Sequence, residues 1–119
     1  MSIMKYSFLL LIILSSCTYN ELIPESIEAC ELEDNPSFAD CVQPIINIHC
    51  INCHNVGSTY GELITYEDVR YMVLYKELVD RIQRDPSTDD GFMPQGEDKL
   101  SQSEISILVK WENNETPNN

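Results

Sequence analysis

The feature that most constrains this chain is five residues long. Cys50-Ile51-Asn52-Cys53-His54 is a C-x-x-C-H motif. Two thiols one helical turn apart can add to the two vinyl groups along one edge of a haem, and the adjacent imidazole then points at the iron from the same side. C-x-x-C alone is ambiguous between a redox dithiol, a zinc pair and haem attachment. The added histidine, behind an export signal, makes haem attachment the strongest reading. Zinc would need Cys30, Cys41, Cys50 and Cys53 as four thiolates, in an oxidising compartment and without the usual second C-x-x-C. A thioredoxin-like dithiol would want an α/β pattern, and no strand periodicity is visible.

The export signal is the N-terminus. Lys5 precedes an unbroken apolar run from Phe8 to Leu14, followed by Ser15, Ser16 and Cys17. A charged start, a short apolar run and small residues describe a secretory signal, and the run is too short for a permanent membrane span. Leu14-Ser15-Ser16-Cys17 resembles the lipobox of bacterial lipoproteins. That resemblance implies removal of residues 1–16, a diacylglyceryl group on the Cys17 thiol and acylation of the new amino terminus, enough chains for stable anchoring. The alternative is an ordinary cleaved signal with a chance cysteine. The expected location is the cell envelope of a Gram-negative bacterium, facing the periplasm. Thr18 carries no acidic retention signal of the enteric type, which leans towards the outer membrane.

The chain has five cysteines. Assigning Cys17 to lipid and Cys50 and Cys53 to haem leaves Cys30 and Cys41, an even pair in an oxidising setting. A Cys30–Cys41 disulfide is therefore expected, with two free thiols as the alternative. The formal charge is −13, and it becomes −14 when Lys5 leaves with the signal. Such a chain repels nucleic acid and anionic lipid surfaces, and a partner docking by charge would carry a basic face.

The 119 residues allow one small domain. Residues 17–36 are acidic, contain Pro24 and Pro36 and have few large apolar side chains, which predicts a flexible tether. A domain is expected over 37–113 and a polar, frayed tail over 114–119. Asp40 and Gln43 form a capping signature, Pro44 suits a first turn, and Val42, Ile45, Ile46 and His49 recur at helical spacing. This helix runs directly into Cys50. Thr65 and Asp68 cap a second helical stretch, over 66–84, with Val69, Met72, Val73, Leu78, Val79 and Ile82 on its apolar face. It reads equally as one helix or two. After an irregular loop over 85–100, Ser101 and Glu104 open a final helix carrying Ile105, Ile107, Leu108 and Trp111. The expected fold class is all-α: a small helical domain around one covalent haem, whose apolar bulk would supplement a core this small.

An iron that only shuttles electrons needs a sixth ligand. His49 lies on the attachment side and does not easily reach the opposite face, so it is expected to pack or face solvent. Met1 and Met4 leave with the signal, and Met72 sits mid-helix. Met93, in the loop Gly91-Phe92-Met93-Pro94-Gln95-Gly96, can present a sulfur from a segment that wraps the far haem face. Met93 is the candidate, with an open site as the alternative; a His/Met pair raises the reduction potential relative to harder ligands.

Taken in order, Phe38, Val42, Pro44, Ile45 and Ile46, then C-x-x-C-H, then Met93-Pro94-x-Gly96, then Leu100, Ser101, Glu104, Leu108 and Trp111 resemble a class I cytochrome c domain. The likeness covers about residues 37–112 and is greatest to compact envelope cytochromes of Bacteroidetes and Planctomycetes. It implies one haem c on Cys50 and Cys53, His54 and Met93 as axial ligands, and first and last helices that cross beside the haem with Trp111 at the contact or near a propionate. The implied function is single-electron transfer between redox proteins, with no small-molecule substrate and no enzymatic activity. Two alternatives stay open: a haem-based gas sensor or peroxidase-like enzyme with an open distal site, where Gln95 is the nearby polar group, and an accessory haem subunit of a membrane complex.

Overall fold

A tryptophan needs a large enclosure, and the chain builds one from segments far apart in sequence. The computed structural model describes residues 24–119. Among these the regular elements are all helical: α1 (Pro24–Leu32), a π-helical turn (Phe38–Val42) leading into α2 (Gln43–His49), α3 (Tyr66–Lys76), α4 (Leu78–Gln83) and α5 (Gln102–Asn113). Residues 1–23, which include Cys17 and the signal, lie outside the described residues.

The helix before the C-x-x-C-H motif begins earlier than its capping signature indicates. Ser37, not Asp40, is the cap: its Oγ accepts from the Asp40 backbone N–H at 3.3 Å. The Cys41 and Val42 N–H groups both reach Ser37 O, at 3.0 and 3.1 Å. This wide first turn buries Phe38, Cys41 and Val42 together. Pro44 then falls in the first turn of α2, where its missing N–H costs little. α3 and α4 are two helices. Glu77 breaks them by taking a left-handed conformation (φ 60°, ψ 31°), a backbone choice that apolar periodicity does not register. The Thr65/Asp68 and Ser101/Glu104 pairs both form reciprocal capping boxes.

The expected tether is corrected over 24–36. Pro24–Leu32 is helix and packs on α5, with Ile27 against the core. Cys30 and Cys41 are joined by a disulfide, Cα atoms 5.6 Å apart, which staples α1 to the π-helical turn. Lys110 donates to Glu31 O and Glu33 O, Ser103 Oγ donates to Glu31 Oε2 at 2.6 Å, and Asn114 Nδ2 donates to Asp34 O at 2.8 Å. The acidic composition is real, but backbone carbonyls rather than carboxylates make most of these bonds.

The frayed tail is likewise corrected. Thr116 is buried, Trp111 Nε1 donates to Pro117 O at 3.0 Å and Tyr66 Oη donates to Thr116 O at 2.7 Å. Asn119 accepts from Ser37 Oγ at 2.7 Å and, through Oδ1, from Phe38 N–H at 3.2 Å. The tail therefore closes the floor of an aromatic cluster. Phe38 lies 5.2 Å from Tyr66, edge-on, and 5.6 Å from Trp111. Around it the core holds Val42, Ile45, Ile46, Val69, Val79, Ile107 and Leu108.

Trp111→Ala should cost about 3–5 kcal/mol in urea unfolding. It should also raise amide exchange across 114–119, because the tail loses both the indole surface and the Nε1 donor.

Candidate functional site

α2 ends at His49, but its backbone pattern continues. Cys50 N–H reaches Ile46 O at 2.9 Å, Cys53 N–H reaches Cys50 O at 3.2 Å and His54 N–H reaches Cys50 O at 2.9 Å. One further turn therefore carries Cys50, Cys53 and His54 at i, i+3 and i+4, the spacing that puts side chains on one face. Cys50 and Cys53 are free thiols, the first half-buried and the second exposed.

The segment after the motif folds back to hold the imidazole. His54 Nδ1 lies 2.8 Å from Gly61 O. A carbonyl only accepts, so this nitrogen carries the proton, and Nε2 is left with a lone pair and no partner among the described residues. The hairpin is fastened at three further points: Leu63 N–H to His54 O at 2.9 Å, Ser58 Oγ to Cys53 O at 2.9 Å, and Gly57 N–H to Glu62 Oε1 at 2.8 Å. Gly61 has φ +97°, and a Cβ there would stand 3.3 Å from Met72 Sδ. Met72 thus packs against the loop on the Nδ1 side of His54.

Met93 is carried by a different element. Its N–H reaches Arg81 O on α4 at 3.2 Å, and Arg84 Nη1 donates to Asp90 O at 2.8 Å, so the loop is pinned to α4. Phe92 and Pro94 are buried on either side, while Met93 is half-buried. His49 Nε2 lies 2.8 Å from Glu104 Oε1, which ties the end of α2 to the start of α5.

Electrostatics separates the possible chemistries. Burial, then Glu97, Cys53 and Glu104, push the Cys50 thiol up to about 12. A redox dithiol or a thiolate zinc ligand wants the opposite shift. Cys30 and Cys41, bonded to each other, are no longer donors for a four-thiolate site. The described residues contain no cluster of three or more His, Cys, Asp or Glu fit to hold a metal ion by themselves. Burial acts upward on Glu104, yet the bonds from His49 and Ser101 outweigh it and hold this carboxyl below its ordinary 4.5.

Comparison with known protein families, curated proteins and solved structures finds no match. Sequence reasoning missed two participants. Gly61 acts through its backbone carbonyl, which has no side-chain signature beyond a glycine in a loop. Glu104 was legible as a helix cap, but its bond to His49 spans 55 positions.

Two measurements follow from this geometry. Gly61→Ala should lower stability by about 1–2 kcal/mol, because an alanine is strained at positive φ, and should weaken or abolish the protected Nδ1–H signal of His54 in proton NMR. Glu104, with its folded carboxyl below the unfolded value, contributes stability above pH 4.5 that is lost as pH falls through the lowered value. Acid titration of unfolding should therefore show wild type losing stability relative to Glu104→Gln in that window.

Proposed function

We propose that this chain is a single-haem c-type electron carrier with a class I cytochrome c fold, attached to the haem through Cys50 and Cys53. The observation that carries the reading is the bond from His54 Nδ1 to Gly61 O. A histidine that ligates a metal through one ring nitrogen commonly gives its other N–H to a carbonyl, which fixes the tautomer and ring plane and raises ligand basicity. His54 is prepared in that way, beside two unbonded thiols one turn apart. When bound, haem supplies a one-electron iron couple. The chain's own part is to hold the attachment edge with Cys50 and Cys53, to present Nε2 of His54 and to cover the far side with the Met93 loop.

Met93 is the better sulfur donor of the two methionines in the described domain. Met72 packs against Gly61, the residue whose carbonyl holds His54 Nδ1. The ligand pair is then His54 and Met93, which favours the reduced iron relative to harder ligands. The surface around the attachment turn supports a large apolar group there, since Ile48, Val56 and Tyr60 are all exposed. The acidic charge of −13 favours redox partners with a basic face. With Cys17 lipidated, the carrier would work at a membrane of the bacterial envelope, facing the periplasm.

Absorption spectra of the matured protein in both oxidation states test this, with Met93→Ala alongside. The expected result is a covalent c-type reduced spectrum in both proteins and a near-infrared sulfur-to-iron band in oxidised wild type only. Covalent haem without the sulfur band in wild type would move the assignment to a sensor or enzyme with an open distal site. Absence of covalent haem under active maturation would overturn the proposal.

A further inference from the structure

The His49–Glu104 pair is not used by attachment or ligation, yet it abuts the attachment edge. His49 immediately precedes Cys50, and its Nε2 is 2.8 Å from Glu104 Oε1. Glu104 does not swing freely: Oε2 accepts from Ser101 N–H and Ser101 Oγ, both at 2.9 Å, and its side chain is only 14% exposed. An open groove of about 530 Å³ lies beside it, lined by His49, Gly96, Glu97, Asp98 and Lys99. Lys99, the cation in that lining, turns its Nζ to Gln83 O at 2.7 Å. The groups facing His49 are thus Glu104 from α5 and Glu97, Asp98 and Lys99 from the preceding loop. The Cys50 side of the site is bordered by net negative charge, one member of which is rigidly held and partly desolvated.

We propose that Glu104 and Glu97 are the residues that set the reduction potential of the haem, holding it low from the Cys50 edge. The inference rests on the haem reading above. A negative charge near the iron favours the ferric state, which carries one more positive charge than the ferrous, and does so more strongly where water is excluded. The same two carboxylates raise the Cys50 thiol, which is the same field acting on a different charge. Two opposite influences then share the site: Met93 sulfur raises the potential and the carboxylates lower it.

The test is the midpoint potential of the haem-loaded full chain by spectroelectrochemistry between pH 5 and pH 8, for wild type, Glu104→Gln and Glu97→Gln. Glutamine at 104 keeps the capping box, so the helix start is preserved while the charge is removed. At pH 8 and fixed applied potential, Glu104→Gln should raise the reduced-to-oxidised ratio about three- to tenfold, roughly 30–60 mV for one electron. Glu97→Gln should move it in the same direction at every pH. Unchanged potentials in both glutamate variants would overturn this inference while leaving the carrier intact. Failure to form covalent haem in wild type would instead sink the carrier reading itself.

Discussion

Trp111 is fully enclosed, and three stretches of chain meet on its indole: the π-helical turn through Phe38, the start of α3 through Tyr66 and the C-terminal tail through Pro117 O. A tryptophan removes on the order of 150–250 Å² from water, which at about 25 cal/mol per Å² is roughly 4–6 kcal/mol. Net stabilities of whole domains are about 5–15 kcal/mol, so the enclosure of this one residue is a large part of what holds α5 against the π-helical turn. The bonds at its rim are individually smaller but remove the alternative of a solvated indole N–H. The same packing positions the π-helical turn from which α2 continues into the C-x-x-C-H turn.

From that packing, α2 projects Cys50 as a continuation of a helix whose inner face, Ile45 and Ile46, is buried. The turn is then held at its two ends by different means. On the His54 side a backbone carbonyl receives Nδ1–H, and on the His49 side a carboxylate already fixed in a capping box receives Nε2. Both anchors act on imidazoles flanking the thiols rather than on the thiols. Cys50 and Cys53 remain unbonded on a turn whose backbone is held at both ends. Preorganisation of this kind lowers the ordering cost of attaching any large group to the pair.

Local chemistry was legible in the sequence and distant chemistry was not. The Thr65/Asp68 and Ser101/Glu104 boxes involve partners three residues apart, so the pattern contains both halves of each interaction. The C-x-x-C-H turn is legible for the same reason. By contrast, α1 reads as an acidic spacer because what orders it is Lys110, Ser103 and the disulfide to Cys41, and the tail reads as frayed because its acceptors serve Ser37, Phe38, Tyr66 and Trp111. The shift of the first cap from Asp40 to Ser37 has a related origin. Both residues are good caps, and burial of Phe38 chooses between them. At the site, Gly61 escaped because its role lies in a main-chain oxygen placed by a positive φ.

Four cysteines in one short domain pose a sorting problem whenever thiols are oxidised, and helix geometry resolves it. Cys41 and Cys50 lie nine residues apart along nearly continuous helix, roughly 13 Å at about 1.5 Å per residue. A disulfide requires Cα atoms within about 7 Å, so no bridge can form between the two halves once this helix exists. Cys30 can reach Cys41 because α1 packs against the π-helical turn, where their Cα atoms are 5.6 Å apart. Cys50 and Cys53, one turn apart, can pair only with each other or with an external group. The half-buried Cys50 thiol, raised to about 12 by burial and its acidic neighbours, stays protonated and is a slow partner for exchange. The same helix that carries the motif therefore keeps the bridged pair, Cys30 and Cys41, apart from Cys50 and Cys53.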